Sequence, residues 1–150
     1  MTEATRAGMT ITKTLFLKAS PERVWRFLTK KDLLATWFMA GGVDVVEGGD
    51  WIAVTNSEGK EGEPVCTGTV KEFTPPADGK DGKLVHSFTH KWLEGVDTLC
   101  TWTLVRAEGG TILTLVHSGF ERVAENPFAM AADHDKGWDE HFVRLRFVVG

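Results

Sequence analysis

The sequence predicts an α+β fold, a curved antiparallel β-sheet wrapped around a long C-terminal helix, with two short helices after the first strand. The first observation behind this is the order of hydrophobic periods: two near the N-terminus, helical over residues 20–38, two again from 42 to 118, and helical from Pro127 to Val149. The second is that the breaks between the predicted strands are short and rich in Gly, Asp and Pro, which favours antiparallel neighbours. The third is the closing stripe of Trp138, Phe142, Leu145 and Val149, at steps of four, three and four, which lines one helix face. A sheet with one apolar face and a helix with one apolar stripe bury both by packing together.

Each element follows from its residues. "TITKTLFLK" at 10–18 alternates and reads as the first strand. In "ASPERVWRFL", Ser20 is an N-cap and Pro21 stands at the first helical position, while Arg23 sits where a capping box places Glu. Val24, Trp25 and Leu28 give this helix its inner side, and "KKDLLATWF" forms a second helical piece that delivers Trp37 and Phe38 to the interior. Strands are expected at 42–47, 50–56, 64–73, 83–91, 98–106 and 111–118, separated by Gly48-Gly49, "SEGKEGE", "PPADGKDGK", "LEGVD" and "EGG". None of these glycine-containing loops has the spacing of a phosphate-binding loop. Gly137, just before the stripe, is expected to let the helix approach or bend near the sheet rim.

Composition narrows the function classes. A chain of 150 residues has the size of one domain, expected over 1–150 with residues 1–9 a flexible lead, and such a chain buries roughly 70% of its unfolded surface. No apolar run approaches the ~20 residues of a membrane span, and "MTEATRAGMT" lacks the basic start and apolar block of a signal peptide. The cytoplasm is therefore the expected compartment, with Cys66 and Cys100 as reduced core thiols. A formal charge of −4 with scattered basic residues argues against nucleic acid as a partner. Six Trp and nine Phe with no Tyr supply large rings without polar tips, suited to dry packing or an apolar pocket.

Six stretches, in order, resemble one family: "ASPERVW" at 19–25, "LLATWF" at 33–38, "GG" at 48–49, "GTVKEFTPP" at 68–76, "GGTILTLVHSGF" at 109–120 and "GWDEH" at 137–141. The chain is similar to the Activator of Hsp90 ATPase homologue 1-like proteins of the START-like (Bet v 1-like) superfamily. The resemblance implies a helix-grip fold with a cavity between the long C-terminal helix and the sheet. Superfamily members range from apolar-ligand carriers to cyclases and co-chaperone domains, so the fold leaves the activity open.

Strand alternation selects the side chains that face this cavity. Cys100, Trp102 and Leu104 share one face, as do Leu84, His86 and Phe88. In "TILTLVHS" the inward set is Leu113, Leu115 and His117, or Ile112 and Val116, and the family pattern favours the first. With Trp37, Phe38, Trp138, His141, Phe142 and Leu145 they compose an aromatic pocket with a few polar points, suited to a planar or lipid-like small molecule.

Catalytic and metal patterns are weak by comparison. His86 and His90 lie ~13 Å apart along an expected strand, and His134 and His141 ~10 Å apart along the helix, too far to share one ion. His117 with His141 is the cross-element pair that spacing leaves open. Ser118 follows His117, but neighbours on a strand point to opposite faces, and no nucleophile elbow surrounds them. Asp133, Asp135, Asp139 and Glu140 read as a solvated helix face. Glu72 is a candidate buried carboxylate if Val70 also points inward.

The expectation is therefore a non-enzymatic domain, monomer or homodimer, that binds a small apolar or aromatic ligand and needs no cofactor or metal. The rival readings are a co-chaperone-like interaction module with a filled core and a cyclase- or hydrolase-type enzyme. The length matches the unit that resembles the C-terminal domain of an Hsp90 activator, without the separate N-terminal domain. Little stimulation of Hsp90 ATPase activity is thus expected in an assay with purified components, and a saturable increase would favour the chaperone reading instead.

Overall fold

The computed structural model describes residues 8–54 and 64–150. The expected loop "SEGKEGE", the end of the expected 50–56 strand, and residues 1–7 of the expected flexible lead lie outside the described residues. Met9 is held in place, its amide donating to Glu121 Oε1 at 3.1 Å.

Strand β1 (Ile11–Leu17) leads into helix α1 (Pro21–Thr29) and the single turn of α2 (Lys31–Leu34). Ser20 caps α1 as its sequence signature requires, its side chain accepting from the Arg23 amide at 3.2 Å. Arg23, the residue that spoils a capping box, works elsewhere: its Nε donates to the Val149 carbonyl at 2.8 Å and satisfies the end of the last helix.

Six further strands follow: β2 (Ala40–Gly41), β3 (Asp50–Val54), β4 (Pro64–Thr74), β5 (Gly82–Phe88), β6 (Thr98–Ala107) and β7 (Gly110–Ser118). Spatial order is β1-β7-β6-β5-β4-β3-β2, with antiparallel partners throughout. Helix α3 (Pro127–Val149) crosses the concave side. The family's curved sheet and long closing helix are thus present, with two short helices after the first strand.

Three local expectations fail for identifiable reasons. Residues 42–47 are not a strand; pairing there is limited to Ala40–Gly41 against β3, and Val45 turns inward instead, its amide bonded to the Thr29 carbonyl at 2.7 Å. The 83–91 strand ends at Phe88, because the chain turns into a short 3-10 turn (Lys91–Leu93) whose Leu93 is buried. Val70 does point inward, but a β-bulge between Val70 and Glu72 puts Glu72 on the outer face, where it pairs with Lys83 at 3.4 Å.

The core lies between α3 and the concave face. Inward residues of six strands, Leu15, Trp51, Val70, Leu84, Trp102 and Leu115 among them, share one core with Trp138, Phe142, Leu145 and Val149 of α3. Full burial of each such side chain contributes about 1.5–3 kcal/mol. Polar ties fix the helix along its length: Lys13 pairs with Asp135 and Asp139, each at 2.9 Å, and Arg146 reaches the Phe16 carbonyl.

Gly68 on β4 shows how tight the sheet is, since a Cβ there would stand 1.8 Å from the Ser87 carbonyl oxygen of the neighbouring strand. Gly68→Ala must separate β4 from β5. It is expected to destabilise by at least ~1–3 kcal/mol in urea unfolding, and unchanged stability would contradict the packing described.

Candidate functional site

Deep under α3 the chemistry is decided by two tryptophan–histidine pairs. An indole N–H can only donate, so each histidine must offer a bare nitrogen. His86 Nε2 accepts from Trp102 Nε1 at 3.0 Å, and its Nδ1 donates to the Ser87 carbonyl at 2.9 Å. His117 Nδ1 accepts from Trp138 Nε1 at 3.0 Å. His117 Nε2 then carries the proton and donates to Thr98 Oγ1 at 2.8 Å, while that hydroxyl donates to the Phe88 carbonyl at 2.6 Å. Both rings are fully buried and neutral, burial pushing His86 down to about 4 and His117 to about 2. For His117 the neighbouring histidines add to the effect of burial.

Above these pairs runs a pile of nearly parallel rings. Phe38 stacks on Trp138 at 5.4 Å, Trp138 on Phe142 at 5.5 Å, and Phe142 on Trp37 at 6.0 Å. Trp37 is anchored by its own N–H, which donates to the Phe27 carbonyl at 2.9 Å. The pile closes the middle of the helix-to-sheet space, and towards the helix's N-terminal half a cavity of about 430 Å³ remains. Its helix wall consists of Met130, Asp133, His134, Gly137, Trp138 and His141. Facing it are Phe38 and Met39 after α2, Val65 and Cys66 on β4, and Phe88 on β5. His90 and Trp92, on the connection from β5 to β6, form the rim, where Trp92 is 58% exposed.

Of the residues that strand and helix periodicity selected, Phe38, Phe88, Trp138 and His141 line this cavity. Trp37, Leu84, His86, Cys100, Trp102, Leu104, Leu113, Leu115, His117, Phe142 and Leu145 stand in the packed core behind it. Alternation identifies which face a side chain occupies, but not how far along that face the packing closes. Periodicity missed Met39, Val65, Cys66, His90, Trp92, Met130, Asp133, His134 and Gly137. A signal existed for two of them: stepping back from Trp138 by fours reaches His134 and then Met130 on the same face. His90 and Trp92 carried none, because their place depends on where β5 stops.

Gly137 is a second departure from expectation. The helix continues unbroken through it, and a Cβ built there would meet no atom within 4 Å. It lines the cavity with open space beside it, and no second backbone comes close.

The polar groups around the cavity are largely paired with one another. His90 and His134 meet through their Nε2 atoms at 2.8 Å, and burial lowers the pKa of both, that of His90 to about 4. His141 Nδ1 accepts from Arg144 Nη2 at 2.6 Å, and burial followed by that cation brings it to about 4. Cys66 is a buried thiol pushed up to about 12, so it acts as an apolar wall atom, and burial raises Cys100 also. Asp135 and Asp139 are ion-paired with Lys13 rather than merely solvated. Among the described residues no three His, Cys, Asp or Glu side chains converge as a metal site. The hydrogen-bond partners of the buried histidines are indoles, a hydroxyl, backbone groups, a guanidinium and other histidines. Such an arrangement can hold a small molecule against aromatic and thioether surfaces. Among the described residues no buried histidine is hydrogen-bonded to a carboxylate.

Comparison with known proteins places the chain. A family model described as Activator of Hsp90 ATPase homolog 1-like protein matches residues 18–150. No curated protein matches the chain. Among solved structures, protein MLL2253 from Mesorhizobium loti superposes with a TM-score of 0.73 at 21% identity, covering 91% of this chain and 93% of that one. CalU16 from Micromonospora echinospora gives 0.70 at 21% identity, over 94% and 76% of the two chains. The Aha1 dimer from Colwellia psychrerythraea gives 0.66 at 17% identity, over 93% and 95%. At these identities the likeness is one of fold.

Trp138 joins core, histidine pair and cavity. Trp138→Ala is expected to destabilise by ~3–5 kcal/mol. Trp138→Phe, which keeps a ring but leaves His117 Nδ1 without its donor, should cost ~1–3 kcal/mol. Urea unfolding of the three proteins checks the order. The buried histidines also set an acid limit. Their folded pKa values lie below the unfolded value of about 6.5, so the unfolded chain binds more protons once the pH drops beneath that value. Stability should be level from about 6.5 up to the ordinary thiol range, where the raised Cys66 and Cys100 begin to count against the fold, and should fall progressively below about 6.5 towards pH 4, the depressed value of His86, His90 and His141. A pH series of urea midpoints showing no decline over that range would contradict the neutral-histidine assignment.

Proposed function

This chain belongs to the Activator of Hsp90 ATPase homolog 1-like family, and we propose that it binds a small apolar or aromatic ligand in the cavity beside Trp138, acting as a binding protein rather than an enzyme. The observation that carries the reading is the cavity itself. Its volume of about 430 Å³ lies within the range of small-molecule pockets, and aromatic rings, methionines and a protonated thiol dominate its wall. The ring of Phe38, which ends the stacked pile, adds aromatic surface suited to a planar or lipid-like molecule. Neutral histidines leave Asp133 as the charged side chain of the lining at pH 7, which favours an uncharged occupant. A family whose name refers to a chaperone activator also supplies the alternative, a protein partner. Among the described residues no helix is long and apolar enough to cross a membrane.

Mass spectrometry of small molecules extracted from the purified native protein tests occupancy and identity together. The location is tested with N-phenyl-1-naphthylamine, an uncharged fluorescent probe, by following tryptophan quenching. Gly137→Leu projects a side chain into open space, so it should weaken probe binding at least tenfold while leaving the fold intact. It should also gain about 0.5–1 kcal/mol from helix propensity. Equal probe affinity in parent and variant would place binding elsewhere or nowhere.

A further inference from the structure

We infer that the His90–His134 pair is an acid-opened latch across the mouth of the cavity, so that a ligand is retained at neutral pH and released in acid. The inference rests on the binding reading above and extends it to regulation of the same site. Its basis is the geometry of the two rings. Their planes are within 2° of one another, their centroids are 5.0 Å apart and their Nε2 atoms 2.8 Å apart, which requires rings meeting nitrogen to nitrogen in a common plane rather than lying face on face. The contact is an in-line hydrogen bond.

Its proton is assigned by the outer nitrogens. The Trp92 amide donates to His90 Nδ1 at 3.3 Å, and an amide N–H cannot accept. His134 Nδ1 lies 2.8 Å from the Met130 carbonyl, which cannot donate. His90 therefore carries its proton on Nε2 and His134 on Nδ1, and the shared bond runs from His90 Nε2–H to the bare His134 Nε2. A continuous chain ties the rim to the helix: Trp92 amide, His90, His134, Met130 carbonyl.

No place in this chain accepts another proton. A proton on His134 Nε2 confronts the His90 Nε2–H. A proton on His90 Nδ1 confronts the Trp92 amide and removes the cap of the 3-10 turn that carries Trp92. The first event breaks the shared bond; the second strips the Trp92 amide from the ring while the charged His90 still donates to His134, and a further proton then sets two cations nitrogen to nitrogen and frees the rim from α3. The surrounding groups bear on this unequally. On α3, Asp133 favours a charged His134, and His141 lines the same cavity. On β7, His117 lies 5.8 Å from His134 ring to ring, and on the rim Lys91 sits over Trp92. Cys66 on β4 is a neutral thiol. Burial outweighs the help from Asp133, and both rings are neutral at pH 7 with His90 depressed to about 4. The latch is closed in the neutral range and opens as the pH falls towards that value.

The test uses the full chain. Dissociation of N-phenyl-1-naphthylamine is followed after dilution between pH 7 and pH 4, and the Trp92 amide is followed by NMR over the same range. The Trp138 indole N–H signal reports whether the core stays intact. The latch predicts at least a tenfold faster release at the acid end, with the Trp92 amide shifting at the midpoint of His90 while the Trp138 indole signal, whose partner His117 is depressed further to about 2, persists. His90→Gln and His134→Gln should release the probe rapidly at pH 7 and lose most of the pH dependence. Probe release independent of pH, or a pH dependence unchanged in both variants, overturns the latch but leaves the binding reading standing. If no probe binds at any pH, the binding reading fails, and a Trp92 amide that does not move as His90 titrates overturns the latch on its own terms.

Discussion

Everything under the long helix depends on two hydrogen bonds from indoles to neutral histidines, Trp138 to His117 and Trp102 to His86. Both histidines sit where water does not reach, and a charged imidazole there would lose its hydration and also repel the indole N–H. Neutrality is therefore a condition of the fold as well as a result of burial. Because Trp138 is on α3 and His117 on β7, the first pair fixes the helix to the sheet at one rotation and one height. The second is a cross-sheet pair on adjacent strands that holds Trp102 upright against Phe142 and Trp37.

That placement divides the space between helix and sheet. From Trp138 to Val149 the helix is sealed by rings and leucines, and Arg23 and Arg146 close its end with bonds to Val149 and Phe16. From Met130 to Gly137 the residues facing the sheet are smaller or polar, the opposite wall retreats to Val65 and Cys66, and packing does not close. The cavity is the remainder left when a large stacked pile fixes the helix height and the next two turns carry too little volume to fill the gap. A filled core and an open pocket, which were rival readings of the ring-rich sequence, coexist at different depths along one helix.

Membership of the family and likeness to solved structures settle the fold but not the ligand, because one fold of this kind serves many ends. The cavity wall combines thioethers, aromatic rings and a His90–His134 pair whose facing nitrogens are already bonded to each other. A wall so arranged offers mainly shape and apolar contact.

The order of elements could be read from the sequence because hydrophobic periodicity is local: the stripe from Trp138 to Val149, the alternation in β5, β6 and β7, and the Ser20-Pro21 start of α1 are each visible within a dozen residues. The inward face of β5 and β6 was legible for the same reason, whereas in β7 alternation left two sets open and the family resemblance chose between them. Depth was not legible, since whether Leu113 or Phe88 meets a ligand depends on what stands opposite, and that is set by residues far away in the chain. The same holds for Glu72, turned outward by one bulged residue, for Gly137, whose emptiness exists only relative to the facing wall, and for His90, which meets His134 because β5 ends at Phe88. By itself the sequence determined periodicity, handedness of faces and the stock of rings; the tertiary structure alone decided which rings touch and where contact fails, because packing is a relation between distant segments and a cavity is the place where that relation is incomplete.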